Sequence, residues 1–172
     1  QEAEHAFAAL GRIAKWHFIG HLQNNKVKKA VPIFDMVETV DSLKLGEHIA
    51  RECEKLDKRM PILVEVNSGR EPQKSGALPE EAEQLIRELS ELNHIHVQGL
   101  MTMGPRFGDP ELARPYFQET KRLFNRLSKL EIENVEMRYL SMGMSNTYNI
   151  AIEEGANMVR IGTKIFGERE KK

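Results

Sequence analysis

The sequence has a single cysteine, Cys53, among its 172 residues. One cysteine excludes an internal disulfide framework and fits a reducing environment. Long apolar runs are missing too: none approaches the roughly 20 residues of a membrane span, and no secretory signal opens the chain. We therefore predict a cytoplasmic protein without membrane association.

An excess of charge of one sign is also absent. The formal net charge is -1 with both signs interspersed, so bulk electrostatics favour neither nucleic acid nor a membrane surface as a partner. Lys26, Lys28 and Lys29 form a basic run without interleaved aromatics, which is typical of a solvated helix face. With 30% charged and 40% hydrophobic residues, the composition indicates one globular domain over residues 1–172.

Two kinds of site lack their usual sequence pattern. His17 and His21 flank one predicted strand end, and His94 and His96 share another strand, but neither pair has a cysteine or carboxylate at ligand spacing. We therefore predict no metal. No G-x-G-x-x-G opens the first strand-to-helix turn, which weakens the case for a dinucleotide fold.

The hydrophobic pattern predicts a helix over residues 2–10 and then strands alternating with helices. The strands are expected at residues 16–20, 34–40, 61–67, 97–101, 135–140 and 158–161. Strict alternation is typical of a parallel sheet covered by helices. Two architectures fit: an open doubly wound sheet, and a (β/α)8 barrel that has lost its first units. In both, a ligand binds at the carboxyl ends of the strands.

The last two predicted strands run into turns of small and polar residues, at 140–145 and 158–163. Ser141 and Gly143 are expected to leave the backbone open in the first turn, while Gly162 and Thr163 offer amides and a hydroxyl in the second. Two such turns could hold one phosphate, although ordinary strand-to-helix turns have the same composition. Ser145 is predicted to cap the helix that follows.

Arg160 and Lys74 are the cations nearest to the predicted site. Arg160 lies two residues before Gly162 and faces the same side. A buried arginine is unusual unless paired, so it is either a cation aimed at a ligand or half of an internal ion pair. Lys74, in the loop after the third strand, is a candidate anion or aldehyde contact or a solvated loop lysine.

Several motifs occur in order along the chain: W-H-F-I-G-H-L-Q-x-N-K (16–26), K-S-G (74–76), G-L-M-T-M-G (99–104), L-S-M-G-M-S (140–145), M-V-R-I-G-T (158–163) and I-F-G (165–167). Together they resemble the pyridoxal phosphate homeostasis family, single-domain proteins related to the amino-terminal barrel of alanine racemase. The resemblance implies an α/β fold of the (β/α)8 TIM-barrel type. It also implies bound pyridoxal 5′-phosphate and a role in supplying or buffering that cofactor, without established turnover.

The resemblance also implies roles for individual residues. Ser141, Gly143, Gly162 and Thr163 would form the phosphate cradle. Met142 and Lys74 are further candidates for cofactor contacts, with Lys74 as a stand-in for the family's Schiff-base lysine. Arg160 would face the pyridine nitrogen and keep it unprotonated, because a guanidinium is itself always charged. A ring in that state is a weaker electron sink, which suits racemase-like or carrier roles better than transamination.

The sequence departs from the family at its start. The family's Schiff-base lysine lies on its first strand, and nothing in this chain matches it; we expect strands three to eight here and residues missing before Gln1. The expected partners are the cofactor and apo-enzymes that receive it, and the chain is expected to be a monomer. The alternatives are a racemase or lyase using the same cofactor, although Cys53 and the tyrosines lack a motif for the second acid/base, and a truncated fragment without cofactor.

Overall fold

A computed structural model describes residues 2–104 and 108–168 of the chain. The strands in these ranges are β1 His17–Phe18, β2 Met36–Val40, β3 Met60–Glu65, β4 Ile95–Thr102, β5 Val135–Met144 and β6 Met158–Arg160. The helices are α1 Glu2–Leu10, α2 Val27–Ala30, α3 Leu43–Glu54, α4 Ala82–Ser90, α5 Arg114–Leu127, α6 Tyr148–Glu153 and α7 Thr163–Phe166, with 3-10 turns at Asn24–Lys26 and Pro110–Ala113.

The six strands form one sheet in which every neighbouring pair is parallel and the spatial order follows the chain order, β1 to β6. A doubly wound sheet reverses its strand order at a switch point. The sequential order therefore excludes the doubly wound alternative and confirms the barrel-type α/β fold. The described helices include none long and apolar enough to cross a membrane.

The sheet is strongly curled, as two long-range contacts demonstrate. Ser141 Oγ on β5 donates a hydrogen bond to Glu38 Oε2 on β2 at 2.6 Å. In a flat sheet these strands would stand about 14 Å apart, at roughly 4.8 Å per neighbouring pair. Arg160 Nη2 on β6 likewise reaches the Thr102 carbonyl oxygen on β4 at 2.8 Å. The sheet thus has a concave face on which side chains of distant strands meet.

The two faces of the sheet carry different residues. On the convex face, alternate strand positions such as Val37, Ile62 and Val97 pack with the helices into a large apolar core. The helices contribute apolar stripes at helical spacing, for example Leu85, Ile86 and Leu89 of α4. The concave face has only a small apolar cluster, formed by Met36, Leu63 and Met101 with Met103 and Tyr139 beside them.

The end of β5 differs from the sequence-based expectation. The strand was predicted to end at residue 140, but it continues to Met144. Both neighbouring strands pair with the extension: β4 at Met101↔Ser141 and Thr102↔Met142, and β6 at Ser141↔Met158 and Met144↔Arg160. Ser141 and Gly143 are therefore strand residues, and the expectation that they lie in an open turn is wrong. β1 is shorter than its prediction of residues 16–20 and keeps only His17 and Phe18.

Gly143 is required by packing. Its φ is +88°, and a Cβ at this position would lie 2.5 Å from the Ala151 Cβ and 3.0 Å from the Tyr148 Cα. Glycine adopts positive φ without steric cost. Its absent side chain lets α6 approach β5 closely, so the structure gives this glycine a structural reason that is independent of any ligand.

Candidate functional site

An open groove of about 1190 Å³ lies where the carboxyl ends of β1 and β6 face each other. Its polar lining includes His17, Glu38, Ser145, Arg160 and Thr163. The carboxyl ends of parallel strands are the usual ligand-binding edge of such sheets. The groove is therefore the candidate site.

Arg160 is held on the concave face by three contacts. Its Nη1 donates to Ser141 Oγ at 2.7 Å, and its Nη2 donates to the Thr102 carbonyl oxygen and contacts Met103 Sδ at 3.5 Å. The residue is 6% exposed. Its Nε–H is buried and has no hydrogen-bond partner among the described residues. A buried donor without an acceptor is costly, so the guanidinium has one position at which a ligand acceptor would be stabilising.

Glu38 connects Arg160 to His17. Its Oε2 accepts the Ser141 hydroxyl proton, and its Oε1 lies 2.9 Å from His17 Nδ1. Glu38 is 2% exposed although it lies in the middle of β2. A carboxylate in such a place must be paired. His17 lies on the neighbouring strand β1, whereas Ser141 lies on β5, three strands away, so the contact with Ser141 depends on the curl of the sheet.

Glu65 is a second buried acid on the same face, two residues beyond Leu63 on β3. Burial and the neighbouring Asp41 carboxylate raise the pKa of Glu65 from 4.5 to about 7, although the Arg160 charge acts in the opposite direction. Burial also lowers the pKa of Arg160, while Glu38 and Glu65 oppose that change. The candidate site therefore combines one cation with several acidic groups in a largely dehydrated interior.

The turns after β5 and β6 meet at Ser145. The Gly162 amide donates to Ser145 Oγ at 3.0 Å, and the Lys164 amide lies 3.5 Å from the same oxygen. Ser145 was predicted to cap the following helix; this prediction is wrong, because α6 begins at Tyr148 and Thr147 precedes it. The hydroxyl joins the two turns instead, because the extension of β5 carries Ser145 to the end of β6.

Gly162 leaves open space above this junction. A Cβ built there would have no atom of the described residues within 4 Å; the φ is negative, -113°, and with a ψ of -81° the residue lies just outside the regular α region. Thr163 begins α7 and also lines the groove. An anion-binding cradle is typically built from small residues and backbone amides that surround an open space.

The structure brings some predicted site residues to the groove and places others elsewhere. Arg160, Gly162 and Thr163 line it. Ser141 is fully buried, and its hydroxyl is engaged by Glu38 and Arg160. Met142 is fully buried in the convex core, so it faces away from the concave side.

Lys74 is neither a groove residue nor a freely solvated lysine. Its Nζ donates to a Glu71 carboxylate oxygen and to the Gly104 carbonyl oxygen, and these contacts join the loop after β3 to the residues after β4. This lysine therefore fixes the position of two loops at the carboxyl edge of the sheet.

Sequence reasoning missed the connection of His17 and Glu38 to Ser141 and Arg160. A signal was present in the sequence: Glu38 is the charged residue in the strand Met36–Val40, at an inward position. Its partner could not be named, because His17 lies 21 residues away in sequence and Ser141 lies 103 residues away.

A curled parallel sheet with a ligand groove at its carboxyl edge places this chain in the class of (β/α)8-barrel-type ligand-binding proteins. The model of the family described as alanine racemase, N-terminal domain, matches residues 1–170. The chain belongs to this family and, within it, to the pyridoxal phosphate homeostasis proteins.

Relatives in the sequence comparison bear the name of that group. The pyridoxal phosphate homeostasis protein of Aquifex aeolicus is 42% identical over 156 residues, which are 91% of this chain and 68% of the relative. The mouse protein of the same name is 40% identical over 166 residues, covering 91% of this chain and 59% of the relative. The chain thus spans about two thirds of the length of these relatives.

Solved structures match the fold closely. PipY of Synechococcus elongatus, determined with pyridoxal phosphate bound, superposes with a TM-score of 0.86 at 31% identity, over 97% of this chain and 78% of PipY. An alanine racemase of Clostridium difficile superposes with a TM-score of 0.73 at 18% identity, over 98% of this chain and 43% of the racemase. The second likeness concerns the fold alone.

Proposed function

We propose that this chain binds pyridoxal 5′-phosphate in the groove and serves cofactor homeostasis as a non-catalytic carrier or buffer. The observation that carries the proposal is the buried Nε–H of Arg160, a donor with no acceptor among the described residues. The names of the relatives and the cofactor in the PipY structure give the same chemistry for those proteins.

The residues of the groove fit the parts of the cofactor. Arg160 offers a permanent cation with a free donor, which suits the lone pair of an unprotonated pyridine nitrogen. Gly162, Thr163 and Ser145 offer small groups and hydroxyls around open space, which suits a phosphate. When bound, the cofactor would supply an electrophilic aldehyde. The contacts offered by these residues are non-covalent.

The proposal includes two statements that are more specific than cofactor binding in the groove. They are the transfer of the cofactor to apo-enzymes, which agrees with a groove that is open rather than enclosed, and a monomeric state. The cytoplasmic location predicted from the single cysteine stays a prediction.

Cys53 is fully buried on α3, and burial raises the pKa of its thiol to about 11, which makes it unsuited to act as an acid/base in the groove.

Cofactor binding is tested by equilibrium dialysis of the chain against pyridoxal 5′-phosphate and against pyridoxine 5′-phosphate, which has no aldehyde. We expect saturable binding of one equivalent of each. Arg160→Lys keeps the charge but loses the planar fork and Nε, and we expect the affinity to fall about tenfold or more.

The matched control is Arg59→Lys. Arg59 is exposed and bonds Asn134 near the amino ends of β3 and β5, opposite the groove. The Arg59→Lys variant should bind both ligands with the affinity of the unchanged chain. Absence of saturable uptake by the unchanged chain would refute the proposed function.

The phosphate part of the groove is tested by Gly162→Ala. The added methyl group meets no atom of the described residues within 4 Å, so the cost comes from the backbone conformation alone, and we expect the free energy of unfolding to change by about 1 kcal/mol or less. The methyl group would overlap the proposed position of the phosphate, so we expect the affinity for pyridoxine 5′-phosphate to fall about tenfold. Gly108→Ala is the control, because a Cβ at this position also meets nothing within 4 Å in the described part of the chain. Equal affinities of the two variants would contradict this assignment of the phosphate site.

A further inference from the structure

His17, Glu38, Ser141 and Arg160 form one continuous hydrogen-bonded chain across the concave face. The side chains come from β1, β2, β5 and β6, and the chain ends at the Thr102 carbonyl oxygen on β4. Three of its members, Glu38, Ser141 and Arg160, are at least nine-tenths buried. A buried polar chain of this kind is stabilising only when each member has its partner.

The donors and acceptors in this chain can be assigned one by one. An arginine has donors only, so Ser141 Oγ must accept from Arg160 Nη1. The single hydroxyl proton of Ser141 is then available for Glu38 Oε2. Glu38 therefore accepts at this oxygen, and its other oxygen accepts from His17 Nδ1–H. This assignment makes Nδ1 the protonated nitrogen of His17 and leaves Nε2 as the remaining polar atom of the ring.

The chain fixes the plane of the guanidinium. Nη1 is held by Ser141 and Nη2 by the Thr102 carbonyl oxygen, so two of the three nitrogens are anchored from different strands. Nε is the nitrogen that no described residue engages. Glu38 supplies a compensating negative charge through Ser141, and burial would otherwise disfavour the charged form of Arg160.

We propose that Glu38, acting through Ser141 and supported by its bond to His17, is a positioning residue that keeps the Arg160 guanidinium charged and fixed in orientation, with Nε–H left unpaired for an acceptor atom of the cofactor. This inference rests on the proposed function, and it adds that affinity for the ring is set by residues that need not touch it. His17 lines the groove and completes the chain at its open end. Replacing Glu38, Ser141 or His17 should make the orientation of the Arg160 side chain less fixed, while the guanidinium itself is unchanged.

Glu38→Gln, Ser141→Ala and His17→Gln test the proposal, with His48→Gln as control. His48 is a half-buried histidine, as His17 is, and its Nδ1 pairs with Asn24 Oδ1, so it matches His17 in residue type and in having a side-chain partner. We expect affinity for pyridoxine 5′-phosphate to fall about tenfold or more in Glu38→Gln and Ser141→Ala, and about threefold to tenfold in His17→Gln. His48→Gln should bind like the unchanged chain. This ligand has no aldehyde, so lysine chemistry cannot obscure the result.

A second measurement needs no ligand. In nitrogen-15 NMR spectra of the unliganded chain, the Arg160 Nε–H signal should exchange slowly with solvent, and His17 should show the tautomer protonated at Nδ1. In Glu38→Gln and Ser141→Ala the Nε–H signal should exchange faster. A purely structural role for Glu38 would lower the thermal stability and leave the Arg160 signal unchanged.

The outcomes separate this inference from the proposed function. If the unchanged chain fails to bind the ligand, the proposed function fails, and the Arg160 signal still decides whether Glu38 positions the guanidinium. If Glu38→Gln does not fold, Ser141→Ala and His17→Gln decide the question. Folded variants with undiminished affinity, or with an unchanged Nε–H exchange rate, would overturn the proposal.

Discussion

Replacing Gly99 by alanine is expected to destabilise the chain by about 4 kcal/mol or more, which is at the extreme of single substitutions. Gly99 lies on β4 opposite Tyr139 of β5, with a φ of +140°. A Cβ there would lie 1.9 Å from the Tyr139 carbonyl oxygen and 2.8 Å from its carbonyl carbon. The obstacle is backbone, so the two strands would have to separate locally. Urea denaturation followed by circular dichroism measures the loss.

Gly46→Ala is the matched control for Gly99→Ala. A Cβ at Gly46 would lie 2.1 Å from Leu89 Cδ2, a similar overlap, but the obstacle is the end of a flexible side chain. Gly46 is inside α3, where alanine is favoured over glycine by about 1 kcal/mol. We therefore expect a much smaller loss of stability. Equal losses in the two variants would show that the backbone contact at Gly99 is not the cause.

Replacing Glu65 by glutamine is expected to stabilise the chain above neutral pH by up to about 3 kcal/mol. The pKa of Glu65 is raised from 4.5 to about 7, chiefly by burial and then by Asp41. The folded state therefore binds a proton more tightly than the unfolded state does. Stability from this group is fully present below pH 4.5 and is lost as the pH rises through about 7. Glutamine imitates the neutral acid at every pH and removes this loss.

The measurement is the free energy of unfolding in urea at pH values from 5 to 8, for the unchanged chain and for Glu65→Gln. The advantage of the variant should grow with pH and level off above about pH 8, where the native Glu65 is ionised. Glu131→Gln, at an exposed position, should show no such growth. An advantage that stays constant with pH would contradict the assigned ionisation of Glu65.

The sequence was sufficient to predict the elements that depend on local pattern. The alternation of strands and helices, the inward direction of Arg160 and the meeting of the last two turns follow from periodicity and from the parallel arrangement. Pairing between strands could not be derived in the same way. Ser141 and Gly143 were predicted to be turn residues because a Ser-Met-Gly stretch is typical of a turn. In the structure they belong to β5, because this stretch pairs with the neighbouring strands.

The contacts of the candidate site show the same limit. The sequence suggested that Arg160 is either a ligand contact or part of an internal pair. Among the described residues Arg160 forms no direct ion pair; it lies in a buried polar network in which Nε has no partner, and the ligand contact stays a prediction. The partners depend on the curvature of the sheet, which brings Glu38 to Ser141 across 103 residues of sequence. Curvature is a property of the whole assembly of strands, and no short motif encodes it.

The division of residues between the two faces of the sheet has an evolutionary consequence. Cohesion comes mainly from the convex face, where the apolar core packs against the helices, and the concave face has only a small apolar cluster. Inward residues can therefore be exchanged by mutation while most of the folding free energy is retained. A lineage with this scaffold can drift in its ligand chemistry without first rebuilding its fold, and Gly99 and Gly143 are among the positions least free to drift with it.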